Sequence, residues 1–499
     1  MTVIGLDDTD SRSDGMCSTY LAALLAEAID REGGAVRDLL LVRLNPAVEH
    51  KTRGNAALAV HADVNADRAL ELAADLVETY AVDDDPETSP GVVVADRGPA
   101  DVPAAVAEFS RGAVRDFHDL DDAVALAESA GFAHRGWAGG RGRIGALAAV
   151  GADRAFDDWT VEHVSYREFD RCGTPRDVDA DSVFRAADEA YPAAWDTVDR
   201  AEGEAVCVPS APGPILYGVR GDDPEAVRRV ADGIDSERVD RAALFRTNQG
   251  TDAHLRDASL AAVRDGHAYR VDCEVAAAPE TRRGGHVFFS VEPVDESVCD
   301  DHGDGDSDDH STGDGDSDDH STGDGDSDDH STGDGDSDDH STGDGDSDDH
   351  STGDGDSDDH STGDGDSDGD AAATLDCAAF EPTKRFRDRV RALRVGDELT
   401  VCGEVTDGTL KLEKFAVRDL VDTEPVVPEC PGCGRSMESA GRNQGYRCRD
   451  CGTDADGKVD RPLDRDLEPG WYEVPPCARR HVAKPLVRGG FDAPTHPER

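Results

Sequence analysis

Thr2–Leu6 carries apolar side chains on both faces, as a strand covered on both sides does. Ser18–Asp30 follows with apolar residues at helical spacing. Ala56–Ala62, a helix over Ala66–Tyr80 and a strand at Gly91–Ala95 form one βαβ-like half. Ala205–Pro209, Ile215–Arg220, a helix over Pro224–Gly233 and Arg241–Thr247 form another, and two such halves can assemble a ferredoxin-like sandwich. Between them, Gly139–Gly151 reads as a helix and Thr160–Tyr166 as a strand of the first domain, so two N-terminal domains are expected to intertwine in sequence. Further strand signals stand at Gly284–Val291, Ala373–Phe380, Glu398–Val405 and Thr409–Glu413, with one helix around Lys384–Leu393. Short strands and a single helix predict a small Greek-key barrel of the OB type, a fold that commonly binds single strands and nucleic-acid backbones.

A ten-residue repeat, Ser311–His320, recurs through residue 360 and interrupts that barrel. It has no apolar side chain and cannot offset its own ordering entropy, so it reads as a disordered insertion. Its Asp-x-Asp-x-Asp pattern resembles half of a calcium loop, but the closing Glu and the flanking helices are missing. The segments on either side are strands, so the insertion sits at a hairpin tip, where loop entropy grows only slowly with length.

Composition changes how the rest is read. At 499 residues, three or four domains are expected. The net charge is −59, and residues 301–370 supply 29 Asp with no Lys or Arg. Elsewhere the chain remains acidic, and its cations are six Lys against 45 Arg. A surface of this kind suits multimolar salt, where the Debye length is ~3 Å and self-repulsion is screened. Acidity therefore reflects the solvent and does not exclude an RNA partner. There is no run of about 20 apolar residues and no signal-peptide pattern. Of the twelve cysteines eight are scattered and four form two CxxC pairs, which reads as metal binding in a reducing compartment, so a cytoplasmic location is expected.

The chemistry is concentrated in a few blocks. Cys430-x2-Cys433-x14-Cys448-x2-Cys451 has the spacing of two zinc knuckles, and four thiolates make a closed, structural Zn²⁺ site. Gly5-Leu6-Asp7-Asp8-Thr9-Asp10-Ser11 clusters carboxylates at the end of a buried strand, where Asp7, Asp8 and Asp10 suit Mg²⁺; a solvated acidic turn is the bland alternative. Gly15–Tyr20 leads into a helix whose first N–H groups and hydroxyls could receive a phosphate. Lys51 in the Lys51-Thr52-Arg53-Gly54-Asn55 turn, and Arg141-Gly142-Arg143 before a helix, are further phosphate candidates, although neither is a Walker motif. Thr247–Leu255 and Arg282–His286 read as polar turns at domain edges. The basic run Cys477–Lys484, with Arg479, Arg480 and Lys484, reverses the local charge and suggests contact with RNA phosphates.

Taken in order, GLDDTDS, GMCSTYL, RLNPAVEHKTRGN, RGRIGALAAVG, TNQGTDAHL, GGHVFF, CAAFEPTKRFR, the cysteine block and PGWYEVPPCARRHVAKPL closely resemble the archaeal tRNA(Ile) 2-agmatinylcytidine synthetases, over essentially the whole chain outside 300–371. The resemblance implies a multidomain α/β plus β protein. Residues 1–60 and 132–200 would form a kinase-like ATP-binding catalytic domain, 61–131 and 201–262 a ferredoxin-like domain, and 265–299 with 371–422 an OB domain. The insertion would span 300–370, the zinc ribbon 428–455 and a basic tail 456–499. It implies ATP-dependent attachment of agmatine to C2 of the wobble cytidine of the CAU-anticodon isoleucine tRNA, after phosphorylation of the C2 oxygen, so that the tRNA reads AUA. Asp7, Asp8 and Asp10 would hold Mg²⁺. Lys51, Arg53, Asn55, Arg141 and Gly142 would meet ATP phosphates. Lys384, Arg385, Arg479, Arg480 and Lys484 would hold the tRNA. The family's autophosphorylated threonine aligns with Ser18, with Thr19 following. No membrane and no obligate protein partner are implied. A non-catalytic OB and zinc-ribbon RNA-binding protein is the competing reading, and a small-molecule or protein kinase a third; the acidic cluster beside GMCSTYL distinguishes a catalyst from a pure binder.

Overall fold

The computed structural model describes residues 1–11, 15–49, 54–82, 84–294 and 373–499. Lys51, Arg53 and the Asp-rich repeat lie outside them. The N-terminal half is built on one nine-stranded sheet in the order β5-β4-β1-β3-β2-β9-β6-β8-β7. The strands are β1 (Thr2–Asp7), β2 (Ala35–Arg43), β3 (Ala56–Asp63), β4 (Gly91–Ala95), β5 (Ala133–Gly136), β6 (Thr160–Arg167), β7 (Ala194–Trp195), β8 (Ile215–Gly221) and β9 (Val239–Thr247). Helices α1 (Ser18–Arg31) and α2 (Ala66–Tyr80) cover one face of the β1–β4 region. Helices α3 (Ala104–Ala113), α4 (Leu120–Ser129) and α5 (Arg143–Ala155) cover the other. Helices α6 (Ala180–Ala190) and α7 (Pro224–Gly233) pack on β6, β7 and β8. Being covered on both sides, β1 places Ile4 and Leu6 in one core and Val3 in the other, which accounts for its unbroken apolar run.

Strand pairing departs from chain proximity at two places. β4 hydrogen-bonds to β1, and β6 hydrogen-bonds to β8 and β9. Helix α5 packs under β1, β3 and β4, while β6 lies between β9 and β8 in the same sheet. The halves join through the parallel pair β2–β9, at Leu40–Arg246 and Leu41–Thr247. Asn248 extends this joint. Its Oδ1 accepts from Arg43 N–H at 2.7 Å, and its Nδ2 donates to Arg43 O at 3.0 Å.

The second half begins with β10 (Leu255–Asp257) beside β11 (Ala268–Thr281). β11, β12 (Val287–Glu292), β13 (Leu375–Ala379), β15 (Thr409–Asp419) and β14 (Glu398–Thr406) pair in that order, and β14 returns to β11, closing a five-stranded barrel. The short helix α8 (Phe386–Arg391) contributes Phe386 and Val390 to its core. β12 and β13 are antiparallel with Val291 opposite Leu375, so the insertion leaves from the tip of their hairpin. β16 (Thr423–Val426) pairs with β20 (Val459–Pro462). Between them β17 (Glu438–Ser439), β18 (Tyr446–Arg447) and β19 (Asp454–Ala455) form a small ribbon sheet. β21 (Gly470–Glu473) then rejoins β15, and β22 (Thr495–His496) lies beside it.

The polar turn Thr247–Leu255 ties barrel to sheet. Asp252 accepts from Nζ of the buried Lys414 at 2.8 Å through both oxygens, and it pairs with Arg270 at 3.0 Å. The C-terminal segment is part of this packing rather than a free tail. Arg479 has a side chain only 5% exposed and pairs with Glu473 and Asp196, while Arg480 pairs with Glu413 and Glu404. Within the basic run, Arg479 and Arg480 thus answer carboxylates of their own chain. Arg385 is likewise engaged, by Asp199, Glu202 and Glu498. Among the described residues, only Lys384 and Lys484 of the five expected RNA contacts form no ion pair.

Candidate active site and zinc centre

Alternation along β1 sends Asp7 to the face that α5 covers. A Cβ on Gly145 would lie 1.9 Å from Asp7 Oδ2, and one on Gly142 would lie 2.7 Å from Asp7 O. The glycines of the Arg141–Gly145 stretch therefore let the start of α5 sit directly on the acidic strand end. Asp7 Oδ1 accepts the Asp8 N–H at 2.7 Å. Asp8 turns the chain with φ 60°, a left-handed conformation that Asp tolerates better than most residues. Its Oδ2 accepts from Arg141 Nη2 and from the Ser89 N–H, both at 3.2 Å.

Both carboxyls are held above the usual range. Burial is the larger cause for Asp7, followed by the charge of Asp8. Burial also pushes Asp8 up, to about 6, against the opposing pull of Arg141. Two buried hard-oxygen groups short of counter-charge fit a divalent cation of the Mg²⁺ type, which takes one or two carboxylates and otherwise water and phosphate. Asp10 lines the same cavity, but the three carboxylates do not converge on one point.

Ser89 carried no signal in the sequence. It sits in an ordinary polar loop, yet its N–H binds Asp8, its Oγ donates to Ala138 O at 2.7 Å, and the Arg141 N–H donates to that Oγ at 3.0 Å. The Gly142 N–H donates to Ser89 O at 2.8 Å. The backbone N–H groups at 141 and 142 are thus already engaged. What this loop offers the cavity is the Arg141 guanidinium.

At the first turn of α1, Ser18 Oγ lies 3.0 Å from Thr9 Oγ1, and Thr19 Oγ1 lies 3.1 Å from Cys17 Sγ. Among the described residues the N–H groups of Ser18 and Thr19 make no hydrogen bond, the usual state of a helix N-terminus that can take an anion. Both residues line a cavity of about 990 Å³ together with Asp7, Asp8 and Arg141. The same cavity is bordered by Glu162 and Arg43, which pair at 3.7 Å, and by Asn55, whose Nδ2 donates to Asn45 O at 2.8 Å. Its far margin belongs to the barrel, through Asp265, Gly266, Glu404, Asp407 and Lys411. Glu162 was not singled out in the sequence, since a lone Glu within a strand pattern carries no spacing signal.

The four cysteines converge, with ligand atoms within 4.8 Å of one another. The two knuckles repeat one geometry: Gly434 N–H donates to Cys430 O at 2.8 Å, and Gly452 N–H to Cys448 O at 2.9 Å. The backbone N–H of Gly432 is the main cause that lowers the Cys430 thiol to about 6, whereas hydrogen bonding from Cys433 leads in pushing Cys451 up to about 12. Four sulfurs at this spacing, a closed set with no open position, fit tetrahedral zinc.

Family models match three segments: the TiaS TCKD domain over residues 3–64, the TiaS FLD domain over 140–254 and the TiaS C-terminal zinc ribbon domain over 427–467. An isoleucine-tRNA 2-agmatinylcytidine synthetase, TiaS, from Haloquadratum walsbyi is 53% identical over the full length of both chains. The TiaS of Methanosarcina mazei is 41% identical over 97% of each. Among solved structures, a complex of TiaS with its isoleucine tRNA and ATP is 33% identical with a TM-score of 0.77, covering 100% of this chain and 99% of that one. A complex of TiaS with the same tRNA, AMPCPP and agmatine is 32% identical with a TM-score of 0.74, again over 100% and 99%.

Proposed function

The chain belongs to the isoleucine-tRNA 2-agmatinylcytidine synthetase (TiaS) family, and from that premise we propose how its residues carry out the reaction. It is an ATP-dependent enzyme that joins agmatine to isoleucine tRNA. The base modified is the wobble cytidine of the CAU anticodon. Its C2 oxygen is a poor leaving group. That oxygen attacks the terminal phosphoryl group of ATP, whose bond to the bridging oxygen breaks as the rest of the nucleotide departs, and the primary amine of agmatine then attacks C2. The C2–O bond breaks, inorganic phosphate departs with the oxygen, and the nitrogen loses its proton. The product pairs with A, so the tRNA reads AUA.

The observation that carries this reading is the meeting, in one cavity, of two under-compensated carboxyls and the open first turn of α1. Phosphoryl transfer asks chiefly for positioning and charge neutralisation, and these groups supply both. Asp7 and Asp8 would hold Mg²⁺, which neutralises phosphate charge when bound. The N–H groups of Ser18 and Thr19 receive a phosphate, and the Arg141 guanidinium steadies Asp8 while facing the same space. Lys51, Arg53 and Asn55 are further phosphate partners. Ser18, hydrogen-bonded to Thr9 on the acidic loop, is the favoured hydroxyl for self-phosphorylation. Residues 1–60 with α5 form the ATP-binding part, and the barrel and ribbon hold the tRNA. The location is cytoplasmic, in keeping with a tRNA substrate; no described helix is long and apolar enough to cross a membrane.

Mass spectrometry of isoleucine tRNA after incubation with protein, ATP, Mg²⁺ and agmatine should show one agmatine-sized adduct at the wobble cytidine. An unmodified tRNA would refute the reading.

A further inference from the structure

Phe117, between α3 and α4, lines the rim of the catalytic cavity and is 52% exposed. Few large apolar side chains are left in solvent among the described residues, and this surface is otherwise rich in carboxylates. The ring is firmly mounted. The N–H groups of Arg115 and Asp116 both donate to Gly112 O, at 2.8 and 2.7 Å, and Arg115 Nε donates to Ala253 O at 2.7 Å. The ring lies against Gly266, where an added Cβ would come within 2.7 Å of it, and it meets the His267 ring edge-on at 6.2 Å. Gly266 and His267 open the barrel, so Phe117 stands where barrel and catalytic sheet meet.

We propose that Phe117 is a stacking platform for an unstacked anticodon-loop base of the tRNA at the cavity mouth. The proposal rests on the reading of the chain as an agmatidine synthetase. An enzyme that acts on a base must take it out of its stack, and an aromatic face is a sequence-tolerant surface to receive it. In multimolar salt, contacts between cations and phosphates are screened, and Arg385, Arg479 and Arg480 are already paired within the chain. Stacking does not depend on unscreened charge. A cationic occupant, such as the guanidinium of agmatine, would look to Asp116 beside the ring. That carboxylate is already answered by Arg256 and by His267 Nε2 at 3.1 Å, which favours a neutral base.

The test compares Phe117→Ala, Phe117→Leu and Phe117→Tyr in the full chain, at high salt. Phe117→Ala and Phe117→Leu should each raise KM for tRNA about ten-fold, with KM for ATP and agmatine unchanged. Phe117→Tyr should restore wild-type behaviour. Direct tRNA titration should show the same ranking whether or not turnover is detected, so absence of adduct with the wild-type chain would reject the assigned reaction without deciding the role of Phe117. Unchanged tRNA affinity in Phe117→Ala, a rise confined to KM for agmatine, or rescue by Leu as complete as by Tyr would each overturn the proposal. Equal loss of thermal stability in all three variants would mark the ring as structural and overturn it as well.

Discussion

Asp8 combines a left-handed backbone, burial and a carboxyl pushed up to about 6. Its folded-state pKa lies above the ordinary 3.8, so the native state favours the protonated form. The stability this gives is fully present below about pH 4 and is lost as pH rises through 6. At pH 7 the ionised carboxylate therefore costs the cation-free protein something on the order of 3 kcal/mol. Asp8→Asn should raise the melting temperature at pH 7 without divalent cation while abolishing the tRNA adduct and leaving tRNA binding intact. A lower melting temperature or persistent turnover would contradict this. The acidic strand end was legible because carboxylates following a buried run have few reasons to cluster there. Ser89 was not, because its role depends on three partners brought from residues 8, 138 and 141. The pairing of Arg479 with Glu473 and Asp196 was not legible for a related reason: a local excess of positive charge does not say which carboxylates elsewhere in the chain will meet it.

The zinc ribbon and the barrel were the most legible elements, since a CxxC knuckle and a period-two strand are set by neighbours in sequence. The pairing of β1 with β4 and of β6 with β8 and β9 was not, because it depends on which apolar faces meet across many residues. Metal removal should affect one element. Chelation should release one zinc ion per chain and unfold the ribbon, weakening tRNA binding while ATP binding is retained; calorimetric titration of each ligand before and after chelation reads this out. Loss of ATP binding would show that the ribbon supports the catalytic sheet. The hairpin β12–β13 is complete on both sides of the insertion, with five residue pairs in register. Deleting residues 301–370 should therefore leave the rate of adduct formation largely unchanged, and a large loss of turnover would assign the repeat a role in the reaction.

At the scale of the whole molecule, the sheet, the barrel and the C-terminal segment are held by interior polar groups. His254, from the connection into the barrel, meets His481 of the C-terminal segment with ring centroids 5.0 Å apart. Burial lowers His254 to about 4 and carries His481 well below 6.5, so both are neutral at pH 7. Between pH 6.5 and 4 the unfolded chain takes up protons that the native one refuses, and stability falls with decreasing pH. His254 alone accounts for something on the order of 3 kcal/mol across that window. Chemical denaturation at pH 7 and pH 5 should show this loss, and His254→Gln should flatten the slope. The Asp252–Lys414 tie has a different consequence. Its ammonium is sealed from water, so dissolved ions do not reach it. In dilute buffer, repulsion among surface carboxylates reaches about 10 Å at 0.1 M, against ~3 Å at 1 M. Desalting would therefore strain the periphery before it parted the two walls of the cavity: the rivet between catalytic sheet and barrel is indifferent to brine, and the order in which the protein comes apart on dilution is written into which of its charges lie indoors.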